Sequence, residues 1–176
     1  MDLTSNYFQV FELPETYRIN PQELKKRYQA LQRQCHPDKF AGRGGQQQRL
    51  AEQYTVFLNQ AFSTLLSPLT RAEYLLSLQG INGNFANVTH QDSAFLLEQI
   101  ELQEALEAAA GSGNPQQDVD HLISVIGSRY QGLQQIFAGQ YNEGAYEQAL
   151  ETIAKMHFFD KLQKRVSQLE EDLDLL

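Results

Sequence analysis

The sequence predicts an all-α protein in two parts, and three observations carry that prediction. Apolar residues recur at helical spacing through most of the chain, while alternation of period 2 never lasts long enough for a strand. A run rich in Gly and Asn, GINGNFANV at Gly80–Val88, interrupts this pattern and has no periodicity of its own. The charge also divides near there: residues 1–75 hold 9 Lys+Arg against 7 Asp+Glu, and residues 76–176 hold 5 against 15. With 176 residues the chain suits one ordinary domain or two small ones. The expected division is a domain at 1–77, a linker at 78–90 and a three-helix bundle at 91–176.

In the first part, NYFQVFEL (Asn6–Leu13) packs Tyr7, Phe8, Val10 and Phe11 into one short helical stretch that Pro14 ends. INPQELKKRYQALQRQC then opens with a strong start signal. Asn20 is placed as N-cap, Pro21 at the first helical position and Glu23 at the capping-box position. Leu24, Tyr28, Leu31 and Cys35 follow as a core-facing stripe. Lys25, Lys26, Arg27 and Arg33 fall off that stripe, so the helix is apolar on one face and cationic on another. AGRGG (Ala41–Gly45) reads as a loop. A long helix is predicted from about Gln46 to Leu66, with Leu50, Tyr54, Phe57, Ala61 and Leu65 inward. Ser67-Pro68 breaks it, and LTRAEYLLSL forms a short further helix.

The second part predicts three helices. The first runs from about Asp92 to Ala110, with its cap within THQD. GSGNP separates it from the second, at about Gln117–Ala138, where Val119, Leu122, Ile126, Tyr130, Leu133 and Phe137 trace a near-heptad seam. GQYNEG turns the chain into the third, at about Ala145–Leu173, with Leu150, Ile153, Leu162, Val166, Leu169 and Leu173 inward.

Composition excludes several functions. The net charge of −8 argues against nucleic acid, whose phosphates need a basic surface. No apolar run is long enough to span a bilayer. The N-terminus has no basic region ahead of an apolar one, so no signal peptide is expected and the location is expected to be cytoplasmic. The single cysteine, Cys35, can form no internal disulfide, and one thiolate holds neither a structural zinc nor an iron–sulfur cluster. His157 has no second His or Cys one helical turn away. No cofactor and no metal are expected.

Within this frame CHPDKF, at Cys35–Phe40, stands out. As a bare tripeptide, His36-Pro37-Asp38 is a turn after a helix, with His36 favourable near the negative helix end. A catalytic reading would make Cys35 a nucleophile, with His36 and Asp38 as base and orienting acid. Neighbouring side chains on a helix do not face one another, however, and Cys35 lies on the apolar stripe. Context points elsewhere. The tripeptide follows a cationic helix, precedes Lys39 and Phe40, and sits inside a helical hairpin with short flanking helices. That order, LKKRYQALQRQCHPDKF, resembles the J-domain family over roughly residues 5–77. The resemblance implies that His36, Pro37 and Asp38 engage the ATPase domain of a heat-shock-type chaperone and stimulate hydrolysis. Lys25, Lys26, Arg27, Arg33 and Lys39 would then form the positive surface that steers the encounter. An acid on a stiff turn suits pairing with an arginine, and proline removes freedom that binding would otherwise freeze out.

The acidic part carries a second signal, in DSAFLLEQIELQEALEAAA. Phe95, Gln99, Leu102, Leu106 and Ala109 gather on one side of that helix, as a bundle core requires. Leu96, Leu97 and Ile100 gather nearly opposite, edged by Glu101 and Glu104. Such a second strip either packs against the first domain or docks another protein. In KMHFFDKLQKR, Met156, His157, Phe158 and Phe159 are consecutive, so at least one is expected to be exposed or partly covered. SPLTRAEYLLSL, AFLLEQIELQE and FFDKLQKR, taken with the J-domain, resemble the family of J-domain co-chaperones that serve iron–sulfur cluster assembly. That resemblance covers essentially the whole chain. It implies that the bundle binds the cluster scaffold protein IscU while the J-domain recruits the specialised chaperone HscA. The scaffold strip would be Leu96, Leu97, Ile100, Glu101, Glu104 and Phe158, with His157 where relatives commonly carry a basic residue. The Cys-x-x-Cys pairs of mitochondrial relatives are absent, which favours the bacterial type. The Gly/Phe-rich region and zinc-binding cysteines of general folding J-proteins are absent too, which favours a dedicated client. A J-domain co-chaperone for a different client is the alternative.

Overall fold

A computed structural model of the chain describes residues 4–35, 45–81 and 92–175, and these carry seven α-helices and no strand. His36, Pro37, Asp38, Lys39, residues 41–44 of the expected loop and most of the expected linker lie outside the described residues. The chain divides into two compact units, Met1–Gly80 and Ile81–Leu176.

The first unit opens with α1 (Tyr7–Val10), a single turn that buries Phe8, with Phe11 just beyond it. So short a helix depends on its caps. At its start Asn6 and Gln9 form a reciprocal capping box, each side chain accepting the other's backbone N–H at 2.9 Å. At its end Glu12 takes a left-handed conformation, φ 50°. The N–H groups of Glu12 and Leu13 reach back to the carbonyls of Gln9 and Phe8 at 3.0 and 2.9 Å, closing a Schellman turn.

A non-glycine residue in that conformation costs about 1–2 kcal/mol, and the second helix, α2 (Pro21–Cys35), offsets it. Arg27 Nη1 donates to the carbonyls of Phe11 and Glu12 at 2.7 and 2.6 Å, while Nε and Nη2 hold the Glu23 carboxylate at 3.1 and 2.5 Å. Glu23 therefore turns along the helix to Arg27 and forms no capping box with Asn20. Asn20 still caps α2, accepting the N–H groups of Gln22 and Glu23 at 2.9 and 3.3 Å. Arg27→Met keeps the aliphatic stem and removes these charge-assisted bonds. The expected loss is about 1–2 kcal/mol for a partly solvated site, read as a lower urea midpoint. Glu12→Gly in the same background is expected to recover part of it; no recovery would show that the corner is unstrained.

Helix α2 pairs with α3 (Gly45–Leu66). Tyr28 stacks on Phe62 with centroids 4.2 Å apart and donates to Asn59 at 2.8 Å. Leu24 and Cys35 are buried from the expected stripe, with Tyr28 and Leu31 half-buried between them. In α3 the inward line is Ala51, Tyr54, Leu58, Ala61 and Leu65. Leu50 is 41% exposed, and Phe57 is half-buried, edge-on to Tyr7 at 5.6 Å, rather than in the core. Ala61 is buried as expected, while Ala51 and Leu58 take the inward places expected of their neighbours Leu50 and Phe57.

Ser67 caps α4 (Pro68–Leu78), and Arg71 covers the break before it. Its guanidinium is buried, donates to the Leu65 carbonyl left over at the end of α3 (2.5 Å) and lies 4.9 Å from the centre of the Tyr17 ring. Burial pushes the Tyr17 hydroxyl up to about 12, against the opposing pull of Arg71. The Tyr74 hydroxyl accepts the N–H of Tyr7, tying α4 to α1 at 3.0 Å.

The second unit is a bundle of α5 (Ser93–Ala109), α6 (Pro115–Asn142) and α7 (Tyr146–Asp174). Asp92 caps α5 by accepting the Phe95 N–H at 3.1 Å. It also accepts from Lys155 at 2.7 Å, which is the main reason its carboxyl lies below the usual carboxylate range. Helix α6 runs four residues beyond the expected Ala138. The left-handed residue that ends it is Gly144, φ 74°, not Gly139. The N–H groups of Gly144 and Ala145 bond the carbonyls of Tyr141 and Gln140 at 3.2 and 2.8 Å. The seam Val119, Leu122, Ile126, Tyr130 and Phe137 is buried as expected, with Leu133 half-buried. On α7, Ile153, Met156, Phe159, Leu162 and Val166 are buried, and α6 and α7 pack against each other. Among the described residues no helix is long and apolar enough to cross a membrane.

Candidate functional site

Two surfaces arise from this architecture. On the first unit, α2 presents Lys25, Lys26 and Arg33 to solvent. Among the described residues none of the three is in an ion pair, so their charges project outward. Arg27, expected to belong with them, is half-buried and commits its donors to Phe11, Glu12 and Glu23. Helix α3 carries a further exposed cation, Arg49, in its second turn. Helix α2 ends at Cys35, directly before the expected His36-Pro37-Asp38 motif, and the Cys35 side chain is buried.

On the bundle, Phe95, Leu106 and Ala109 turn α5 inward, with Gln99 and Leu102 half-buried. The opposite side is left in solvent: Leu96 is 58% exposed, Leu97 57% and Ile100 46%. These are three of the eight large apolar residues exposed among the described residues, and they share one helix face. Adjacent apolar residues in water constitute a patch, which scattered single ones do not. Glu101 and Glu104 are exposed along its edge and make no ion pair among the described residues.

Helix α7 brings Phe158 to α5. Of the four consecutive residues, Met156 and Phe159 are buried while His157 and Phe158 are half-buried. The Phe158 ring stands edge-on to Phe95 at 5.7 Å and to Phe159 at 5.3 Å. Lys155 lies 5.2 Å from the centre of the Phe95 ring and fixes the same corner through Asp92. The bundle is thus closed without the strip, and the strip is surplus to its core. Among the described residues there is no group of three or more His, Cys, Asp or Glu placed to hold a metal.

The first unit is thus a helical hairpin with a cationic helix, and the second an acidic bundle with an exposed apolar face. Residues 6–74 match the model of the DnaJ domain, and residues 91–167 match that of the HSCB C-terminal oligomerisation domain. The chain belongs to the HscB family of co-chaperones. It is 37% identical, over 96% of its length and 99% of the relative's, to the co-chaperone protein HscB homolog of Shewanella loihica. Among solved structures, chaperone HscB from Vibrio cholerae superposes with a TM-score of 0.88 at 34% identity, covering 96% of this chain and 99% of that one. Human co-chaperone protein HscB gives 0.87 at 27% identity, over 96% and 83%.

Proposed function

We propose that this chain joins an iron–sulfur scaffold protein of the IscU type to an ATP-dependent chaperone of the HscA type. The bundle holds the scaffold through Leu96, Leu97, Ile100 and Phe158, with Glu101, Glu104 and His157 at the edge. The J-domain presents that cargo through His36, Pro37 and Asp38 and stimulates hydrolysis; the chemistry belongs to the chaperone. One observation carries the reading: an apolar, acid-edged face that the bundle's own packing does not use, on a chain of a co-chaperone family. The test is the steady-state ATPase rate of the cognate chaperone with this protein, with and without scaffold. The expected result is stimulation by the protein alone and greater stimulation with both. A rate indifferent to the protein would overturn the J-domain half, and one indifferent to scaffold would overturn the bundle half.

The outward charges of Lys25, Lys26 and Arg33 support steering. Charges that guide an encounter act on the association rate and are screened over about 8 Å at physiological salt. Replacing all three by Gln is expected to slow association with the chaperone about tenfold at low salt and to flatten its salt dependence. Stopped-flow rates across a salt series measure both; an unchanged slope would remove the patch from the encounter.

A further inference from the structure

We infer that the docking strip does not stop at the exposed face of α5 but continues over its edge into a groove against α6, where Leu133 and Ile136 receive an apolar side chain of the same protein partner. This rests on the reading of Leu96, Leu97 and Ile100 as the scaffold's docking strip. The groove has a volume of about 460 Å³, with Ala94, Glu98 and Glu101 on the α5 wall and Arg129, Leu133 and Ile136 on the α6 wall. Phe95, Phe159 and the paired Asp92 and Lys155 also line it.

Continuity is the first argument. Leu97 lies three residues after Ala94 and four before Glu101, so on a helix it neighbours both. The strip and the groove wall therefore meet with only Ala94 and the flank of Glu101 between them. Ile136 is 51% exposed although its chain neighbour Phe137 is wholly buried. A single exposed isoleucine needs no explanation by itself; one at the continuation of a three-residue apolar strip extends that strip onto a second helix.

Charge is the second argument, and it defines the partner. Within the groove Arg129 grips Glu98 with two bonds of 2.5 and 2.7 Å, and that bond is the main reason the Arg129 pKa is raised. That pair is internally neutralised, as is Lys155 with Asp92 in the same groove. Glu101, one turn further on, and Glu104 have no such cation among the described residues. The surface thus offers an apolar wall, Leu133 and Ile136, in a groove whose other charges are paired, beside the unanswered Glu101 and Glu104. It fits a protein segment whose bulky apolar side chain enters the groove while a lysine or arginine beside it meets Glu101 or Glu104.

The test uses the full chain and the purified cognate scaffold, by calorimetric titration of wild type, Ile136→Ala, Ile136→Arg and the pair Leu96→Ala/Ile100→Ala. The expected result is roughly three- to tenfold weaker binding for Ile136→Ala and more than tenfold for Ile136→Arg, the range for an apolar contact in a desolvated interface. If both Ile136 variants bind within twofold of wild type while the α5 pair binds weakly, the extension fails and the strip stands. If all three variants bind like wild type, the strip itself fails. A methyl-labelled wild-type chain gives a readout that does not depend on any variant folding: the Ile136 resonance should shift with those of Leu96 and Leu97 on adding scaffold. An unmoved Ile136 beside moving leucines would overturn the extension. A concentration-dependent dimer that Ile136→Arg abolishes, with scaffold affinity unchanged, would assign the groove to a second copy of this chain and overturn it as well.

Discussion

Asp38→Asn is expected to return the chaperone's ATPase to its unstimulated rate at concentrations where the wild-type chain saturates it, with scaffold affinity unchanged within about twofold. The substitution keeps shape and volume and removes one charge. In the proposed interface that carboxylate pairs with an arginine of the partner. Truncating one member of a desolvated charge pair costs about 2–5 kcal/mol, or roughly thirtyfold to several thousandfold in affinity. The bundle lies in the other compact unit, with its own core, so its binding surface should not respond. Calorimetry for the scaffold and a coupled ATPase assay for the chaperone read the two halves separately. Loss of both together would mean that the sites are not independent, and retained stimulation would remove Asp38 from the contact.

Replacing Leu96, Ile100 and Phe158 together by Ala is expected to do the opposite. Each is an apolar anchor on the proposed scaffold face, and truncating such anchors costs about 1–2 kcal/mol apiece when the interface is dry. The three together give a loss on the order of a hundredfold or more in scaffold affinity. Stimulation of the chaperone without scaffold should persist. Leu96 and Ile100 stand about half in water, so shortening them opens no cavity. Phe158 packs edge-on against Phe95, so its loss also loosens the bundle corner. The pair Leu96→Ala/Ile100→Ala therefore serves as the variant with undisturbed packing. A folded pair that binds scaffold as tightly as wild type would take the α5 strip out of the assignment.

The fold was legible where a local rule governs it. Asn20 and Asp92 cap because a short polar side chain before an apolar-periodic run satisfies N–H groups that the helix leaves over. The α6 seam was plain from spacing alone, and so was the strip of Leu96, Leu97 and Ile100, because a bundle helix needs only one buried face. The capping box of α1 was legible too, in Asn6-x-x-Gln9, but a four-residue helix attracts no attention to its ends. The features that escaped depend on residues distant in the chain. The role of Arg71 depends on its carbonyl acceptor, Leu65, on the far side of the α3–α4 break. The phase of α3 slipped by one residue at two places, where Ala51 and Leu58 are buried instead of Leu50 and Phe57, because the choice between adjacent apolar positions is made by the helices packed against α3. The Glu98–Arg129 pair joins positions 31 apart, and nothing in either local segment names the other. The groove beside them was unreadable for that reason.

Arg27 is at once a cation on α2, the helix proposed to face the chaperone, and a strut. Its donors fasten the turn after α1, so neutralising it in a residue-by-residue charge scan would unpin the first helix and mimic the loss of a contact. The control that separates the two is Arg27→Met combined with Glu12→Gly. If chaperone stimulation recovers in step with the melting curve, the residue's part in the encounter is mechanical, and the count of true contact charges on this helix falls by one.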